Sequence, residues 1–275
     1  MSSTTSNTST TTTGPFWTSL QDKVIVVTGA TAGIGKAVAT IFAQKGAKVV
    51  FTGRRADQGN ELAKQIGATF VQADTTSEAD LKALFELVKA KFGHVDLVFA
   101  NAGVLLAGDS IAGFNVDNLR KQFELNVVGV INTFKFGLPL LSANGLLLAN
   151  SSSVSVMSLP AFNGYTLSKA AVDSYVRSAA EELKATQQRV FSINPYVFDS
   201  EMSQGASGGH ADGMAAQMNP SGKLGNPAFI AQLIEELATG KTVYATGTNI
   251  SIDSNEHYPV AQILGKVAAA AAKRQ

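Results

Sequence analysis

Tyr165 and Lys169 are the first residues whose types and spacing suggest chemistry. On a helix, positions i and i+4 share a face. A phenol ionises near ~10 and is a poor proton carrier at neutral pH. An ammonium beside it favours the phenolate and brings it into acid–base range. Such a pair is common by chance, and the ordinary alternative is a core tyrosine next to a solvated lysine. A second feature is Thr28-Gly29-Ala30-Thr31-Ala32-Gly33-Ile34-Gly35, between a β-branched run and a helical pattern. Glycines there let backbone turn tightly and approach a ligand closely. The helix start offers unpaired N–H groups and a positive dipole end, which together suit a pyrophosphate. The spacing is Gly-x3-Gly-x-Gly, unlike the long-chain dinucleotide fingerprint, and it lacks the Gly-Lys-Ser/Thr ending of a nucleoside-triphosphate loop. A third cluster, Ser151-Ser152-Ser153, closes an apolar strand. Loop hydroxyls also satisfy backbone groups, which is the ordinary role for Ser151 and Ser155.

The elements that must position these groups alternate along the chain. Strands are expected at 24–27, 48–52, 69–72, 96–99, 145–150 and 189–193. Helices are expected at 35–45, 56–66, 78–92, about 116–141 and 165–184. Continuous apolar strands between helices predict a parallel sheet covered on both faces. The fold class is therefore α/β, a single Rossmann-like doubly wound sheet whose ligands bind beyond the strand carboxyl ends. The 203–213 stretch, rich in glycine, is expected to be a mobile lid over a substrate, or a disordered surface loop. His210 within it is expected to be exposed rather than catalytic.

Composition narrows the classes. The chain has 275 residues, 45% hydrophobic and 16% charged, with Lys plus Arg 22 against Asp plus Glu 21. This can bury a sizeable core and excludes wholesale disorder. The formal net charge of +1 advertises no nucleic-acid surface. With no cysteine and three histidines, disulfides and thiolate chemistry are excluded and no metal site is expected. No apolar run reaches the ~18 residues that a membrane span needs. Residues 1–20 read as a disordered Ser/Thr-rich leader, 21–255 as the main α/β domain and 256–275 as an extension in which 268–272 is a short exposed helix or a frayed tail. What remains is a globular enzyme or binding protein, expected in the cytoplasm. A transit peptide is the rival reading of the leader, weakened because the first basic residue is Lys23.

Further motifs fall in order: Asn101-Ala102-Gly103 after the fourth strand, and Asn126 in Leu125-Asn126-Val127-Val128-Gly129. With these, the chain from about Gln21 to Asn255 resembles the short-chain dehydrogenase/reductase family. The resemblance implies an NAD(P)-dependent oxidoreductase acting on CH–OH or C=O groups, a carbonyl reductase in one direction. It makes Tyr165 the general acid/base, and Lys169 both its electrostatic partner and a ligand of the nicotinamide ribose. A serine orients the substrate oxygen. Family spacing to the tyrosine selects Ser152, whereas the local Ser-Ser-Val pattern selects Ser153; spacing is preferred. Asn126 is implied to order a water for proton relay. Gly29, Thr31, Gly33, Ile34 and Gly35 are implied to line the cofactor, with Asp74 and Thr75 at the adenine and Asn101, Ala102 and Gly103 beside it. A homodimer or homotetramer is implied, built by the helices that carry Asn126 and Tyr165.

The second strand ends Thr52-Gly53-Arg54-Arg55. An NAD site usually places an acid here for the ribose hydroxyls. Glycine takes that place, and Arg54 can clamp a 2′-phosphate. NADP is therefore preferred and NAD kept as the alternative. The chain departs from the family at Asn194-Pro195-Tyr196, where glycine usually follows Asn-Pro. Tyr196 either lines the pocket or shifts the cofactor, and Ser200 stands in for the threonine that bonds the carboxamide. Ser254-Asn255 also replaces the usual Gly-Gly. Met157, Leu159, Tyr196, Met202, Met214 and Met218 suggest a pocket for a small apolar ketone or secondary alcohol. The rival from another class is a redox sensor that binds NAD(P)(H) without turnover.

Overall fold

The computed structural model describes residues 16–108, 110–157, 159–254 and the backbone of 257–259. Seven parallel strands form one sheet: β1 (Val24–Val27), β2 (Lys48–Gly53), β3 (Thr69–Gln72), β4 (Val95–Ala100), β5 (Leu141–Asn150), β6 (Arg189–Pro195) and β7 (Asn249–Ile252). An eighth, β8 (His257–Pro259), pairs antiparallel with β7, and the spatial order is β3-β2-β1-β4-β5-β6-β7-β8. The order reverses between β1 and β4. A crevice opens at such a point beyond the carboxyl ends of the strands.

The strand residues explain the layering. β1 reads Val-Ile-Val-Val and every position is buried. Ile25 and Val27 face one core, with α1 (Gly33–Gln44), α2 (Ala56–Ile66) and α9 (Pro227–Thr239). Val24 and Val26 face the other, with α3 (Glu78–Phe92), α5 (Gly129–Gly137) and α6 (Asn163–Glu182). A period of two sends alternate side chains to opposite faces, and β-branched residues suit both.

The expected fold holds, with corrections in detail. The helix expected at 116–141 is broken into α4 (Val116–Phe123), a π-turn (Glu124–Val128), α5 and a 3₁₀ turn (Leu138–Leu140), and β5 starts at Leu141 rather than 145. The 203–213 segment is two short helices, α7 (Glu201–Ala206) and α8 (Ala211–Met218), rather than an irregular loop. α9 was not anticipated, although Asn226 caps it, Pro227 opens it, and Ile230, Leu233, Ile234 and Leu237 recur at helical spacing. Both packed limits lie outside 21–255. Trp17 and Leu20 are buried against the α1/α9 core, and the Trp17 N–H donates to the Ala238 carbonyl; β8 extends the sheet at the other end. Residues 1–15 and the segment at 268–272 lie outside the described residues. Among those described, no helix is long and apolar enough to cross a membrane.

Candidate active site

The loop after β1 reaches β4 through side-chain bonds. Asn101 donates through Nδ2 to the carbonyls of Thr28 (2.9 Å) and Gly29 (3.0 Å), and its Oδ1 accepts from Asn150 Nδ2 at 2.8 Å. Gly29 has φ +64, and a Cβ there would lie 2.6 Å from the Ala102 Cα. Only glycine fits both that conformation and that approach. The loop feeds α1, whose first residue follows Ala32. No side chain caps this helix and its first turn carries no acid. By contrast α3, α4 and α9 are capped by Ser77, Asn115 and Asn226. The first turn of α1 thus faces the crevice with its backbone donors open to an anion. This donor set fits a dinucleotide pyrophosphate.

The crevice is a cleft of ≈ 650 Å³. Gly29, Thr31, Gly33, Ile34, Arg54, Asp74, Thr75, Asn101, Ala102 and Gly103 line it. Gly35 does not; it lies beneath Asn101, whose Nδ2 would be 2.5 Å from a Cβ there. Arg54 is 69% exposed at the rim, 4.0 Å from the Asp74 carboxylate. Asp74 also accepts from the Thr76 backbone N–H and hydroxyl, which fixes the turn after β3. Gly53 is pressed against Thr31, whose Cγ2 would be 2.6 Å from a Cβ there. Arg55 donates to Thr31 Oγ1 and to Glu201 on α7 (2.9 Å). It ties the phosphate loop to the segment that roofs the cleft.

At the other end, α6 presents Tyr165 and Lys169 to the same cleft, and the turn after β5 presents Ser152 and Ser153. The Ser152 side chain hydrogen-bonds the Tyr165 phenol. Lys169 Nζ donates to the Asn150 carbonyl at 2.7 Å and sits 5.6 Å from the Tyr165 ring centroid. The expected lowering of Tyr165 by Lys169 is not what this site shows. Burial pushes the phenol up to about 12, and only the Ser152 bond opposes it. Burial also pushes Lys169 down to about 8, against the pull of Asp173. The physical reason is that both groups leave water, and the ammonium is directed at a backbone carbonyl rather than at the phenol.

Three expected residues fall outside the cleft or are otherwise engaged. Asn126 lies in the π-turn behind Gly103. Its Oδ1 accepts from the Val104 N–H (2.7 Å), and its Nδ2 donates to the Val104 carbonyl and to Ser168 Oγ. It holds the loop after β4 rather than lining the cavity. Met157 packs on Tyr196 and does not face the cleft. Ser200 lines the cleft against Gly33, but its hydroxyl caps α7 by accepting from the Ser203 N–H. Tyr196, anchored by its N–H to the Ile252 carbonyl, is buried and lines the pocket; Met202 lies at the rim, and His210 is exposed. Beyond Tyr165 the wall is apolar: Leu105, Leu159, Phe162, Tyr196, Met214 and Met218. Leu105 and Phe162 were not foreseen, since apolar loop residues carry no periodic signal.

Comparisons agree with this geometry. A family profile described as enoyl-(acyl carrier protein) reductase matches residues 29–254. An NADP-dependent (R)-specific alcohol dehydrogenase of Lentilactobacillus kefiri is 35% identical over 245 residues, covering 85% of this chain and 96% of its own. The oxidoreductase asL5 of Sarocladium schorii is 32% identical over 240 residues, 85% of this chain and 95% of its own. The crystal structure of a short-chain type dehydrogenase/reductase from Mycobacterium marinum superposes with a TM-score of 0.78 at 26% identity, over 86% of this chain and 96% of that one. With its glycine loop, its uncapped α1 and the convergence of Ser152, Tyr165 and Lys169, the chain belongs to the short-chain dehydrogenase/reductase family of NAD(P)-dependent oxidoreductases.

Proposed function

We propose that this enzyme interconverts a small apolar ketone and its secondary alcohol with NADP(H). The observation that carries the reading is the convergence of Ser152, Tyr165 and Lys169 in one buried cleft that is continuous with the phosphate loop. The preference for NADP rests on Gly53 and Arg54. Thr31 crowds any side chain at position 53, and Arg54, 69% exposed at the rim and 4.0 Å from Asp74, offers a cation for a 2′-phosphate. The relative from L. kefiri is itself NADP-dependent. Among the described residues, the apolar wall beyond Tyr165 carries no cation to hold a substrate carboxylate, which favours an uncharged carbonyl.

When bound, the nicotinamide supplies or accepts the hydride. The chain does the rest. Ser152 donates a hydrogen bond to the carbonyl oxygen beside the phenol. Tyr165 transfers its proton to that oxygen as charge builds there, and the Lys169 ammonium stabilises the phenolate left behind. A phenol held near 12 is protonated at neutral pH, the state needed to act as an acid in reduction. We assign α4–α5 and α6 to a homo-oligomer contact; Val116 on α4 and Leu167 on α6, both large and exposed, lie there.

The experiment is titration of the protein with NADPH and NADH, followed by nicotinamide absorbance with a panel of apolar ketones and diketones. Oxidation of NADPH by a ketone, lost in Tyr165→Phe while NADPH still binds, is the expected result. Binding without turnover across the panel would favour a redox sensor gated by Tyr196. Binding of neither nucleotide would overturn the reading.

A further inference from the structure

Behind the cleft lies a polar cluster that the mechanism above does not use. Asp173 stands on α6 one turn past Lys169 and is 3% exposed. Its carboxylate accepts from donors on two other elements. Oδ2 takes the Ser155 hydroxyl at 2.6 Å and Asn194 Nδ2 at 2.7 Å; Oδ1 takes the Ser192 hydroxyl at 2.8 Å. Asn194 Nδ2 also reaches the Ser152 carbonyl at 3.2 Å and Ser155 Oγ at 2.8 Å. Asn249 Nδ2 on β7 donates to Ser192 Oγ at 2.7 Å. One carboxylate therefore joins the helix of Tyr165 and Lys169 to the turn that carries Ser152, through β6.

A buried carboxylate is costly to desolvate unless hydrogen bonds or a counter-charge compensate it. The hydrogen bonds are all from neutral groups. Ser155 faces it from the turn, Ser192 and Asn194 from β6, and Asn249 backs this cluster from β7, so these elements bring no charge. The charges near it are on α6 itself: Lys169 one turn before, and Arg177 one turn after, which bonds Asn249 Oδ1 at 2.7 Å. An amide at position 173 would direct N–H groups at donors and lose the charge. Neither Asp173 nor Ser155 lines the cleft, so any effect on turnover passes through their neighbours.

We propose that Asp173 is a positioning residue that holds the Ser152 turn in register with Tyr165 and counterbalances the buried Lys169 ammonium. The proposal rests on the reductase reading for its kinetic consequences, but its electrostatic half does not need turnover. Without Asp173 the ammonium loses the one neighbouring charge that favours it, so Lys169 discharges at lower pH.

The test compares wild type, Asp173→Asn, Ser155→Ala and the Ser152→Ala combinations. NADPH affinity, kcat across pH, and the pH midpoint of Lys169 labelling by acetic anhydride, read by mass spectrometry, are measured for each. In Asp173→Asn, NADPH affinity is expected to stay within about threefold while kcat falls about 10- to 100-fold. The alkaline limb and the labelling midpoint are expected to move down by about one pH unit. Ser155→Ala keeps the charge; its kcat is expected to fall about threefold or more with the midpoint unmoved. In a Ser152→Ala background the Asp173→Asn loss should shrink, because the two act through one contact. An unmoved midpoint together with a kcat within twofold of wild type, or with a loss fully additive to Ser152→Ala, would overturn the proposal. If Asp173→Asn does not fold, Ser155→Ala decides the positioning half, and an unchanged kcat there overturns it. A wild type that turns over no ketone sinks the reductase reading, and the labelling midpoint then decides Asp173.

Discussion

Replacing Arg54 by alanine separates cofactor selection from everything else in the cleft. The side chain is 69% exposed and pairs with Asp74 at 4.0 Å, a distance and exposure at which pairs contribute ~1 kcal/mol or less. The fold should therefore hardly register the change, within about 0.5 kcal/mol. A 2′-phosphate beside the guanidinium would lose a charge-assisted contact worth about 1.5–3 kcal/mol. That corresponds to about a 10- to 150-fold weaker Kd for NADPH. NADH, which lacks the phosphate, should bind within about twofold of wild type. Titration of nicotinamide fluorescence measures both constants on one preparation, and raising the salt should narrow the wild-type gap because the site is at the rim. Arg55 is not expected to substitute, because its donors are already engaged with Thr31 and Glu201. Equal weakening of NADPH and NADH, or no change in either, would refute the 2′-phosphate clamp and return NAD to equal standing.

Other outcomes follow from the same contacts. Ser152→Ala removes the partner of the Tyr165 phenol and should lower kcat about 100-fold, whereas Ser153→Ala should cost less than about fivefold; steady-state rates with any working ketone decide between them. Lys169 is charged below about 8 and neutral above it, so ketone reduction should decline as pH rises through about 8 and be flat below it down to the acid limit; a rate still rising at pH 9 would contradict the role given to the ammonium. Trp17→Ala should destabilise the fold by about 3 kcal/mol, seen as a lower urea midpoint, with NADPH affinity unchanged.

The sheet was legible because its strands are buried on both faces, and a run such as Val24–Val27 admits few other readings. The glycine loop and the Tyr165–Lys169 pair were legible only together, since each alone is a common local pattern and their order along the chain gives them meaning. What sequence did not yield depends on contacts between distant segments. For Asn126 the sequence offers both a proton relay and a buried amide bonded to nearby backbone, and the bonds to Val104 supply the second without replacing the first. Trp17 follows sixteen residues that carry no core pattern, and its place on α9 depends on the Ala238 carbonyl, far along the chain. Arg55 reads as one more surface cation until Glu201 and Thr31 stand beside it. Asp173 did leave a signal: an acid at i+4 from a lysine, on a helix face otherwise buried.

The two titrating groups of the cleft explain a preference of direction on the proposed reading. Burial moves their ionisations in opposite senses, the phenol up to about 12 and the ammonium down to about 8. Below about 8 the resting pair is a neutral phenol beside an ammonium, which is the state a proton donor requires. Alcohol oxidation needs the phenolate instead. Raising the pH to form it first discharges Lys169, the group that would stabilise it. The two requirements therefore overlap poorly, and the overlap depends on how strongly the ammonium is retained. Asp173 is a charge that favours that ammonium, set one helical turn away and shielded from water. On the proposed reading such a site favours reduction at neutral pH, and the pH range over which the ammonium persists depends on a carboxylate outside the cleft.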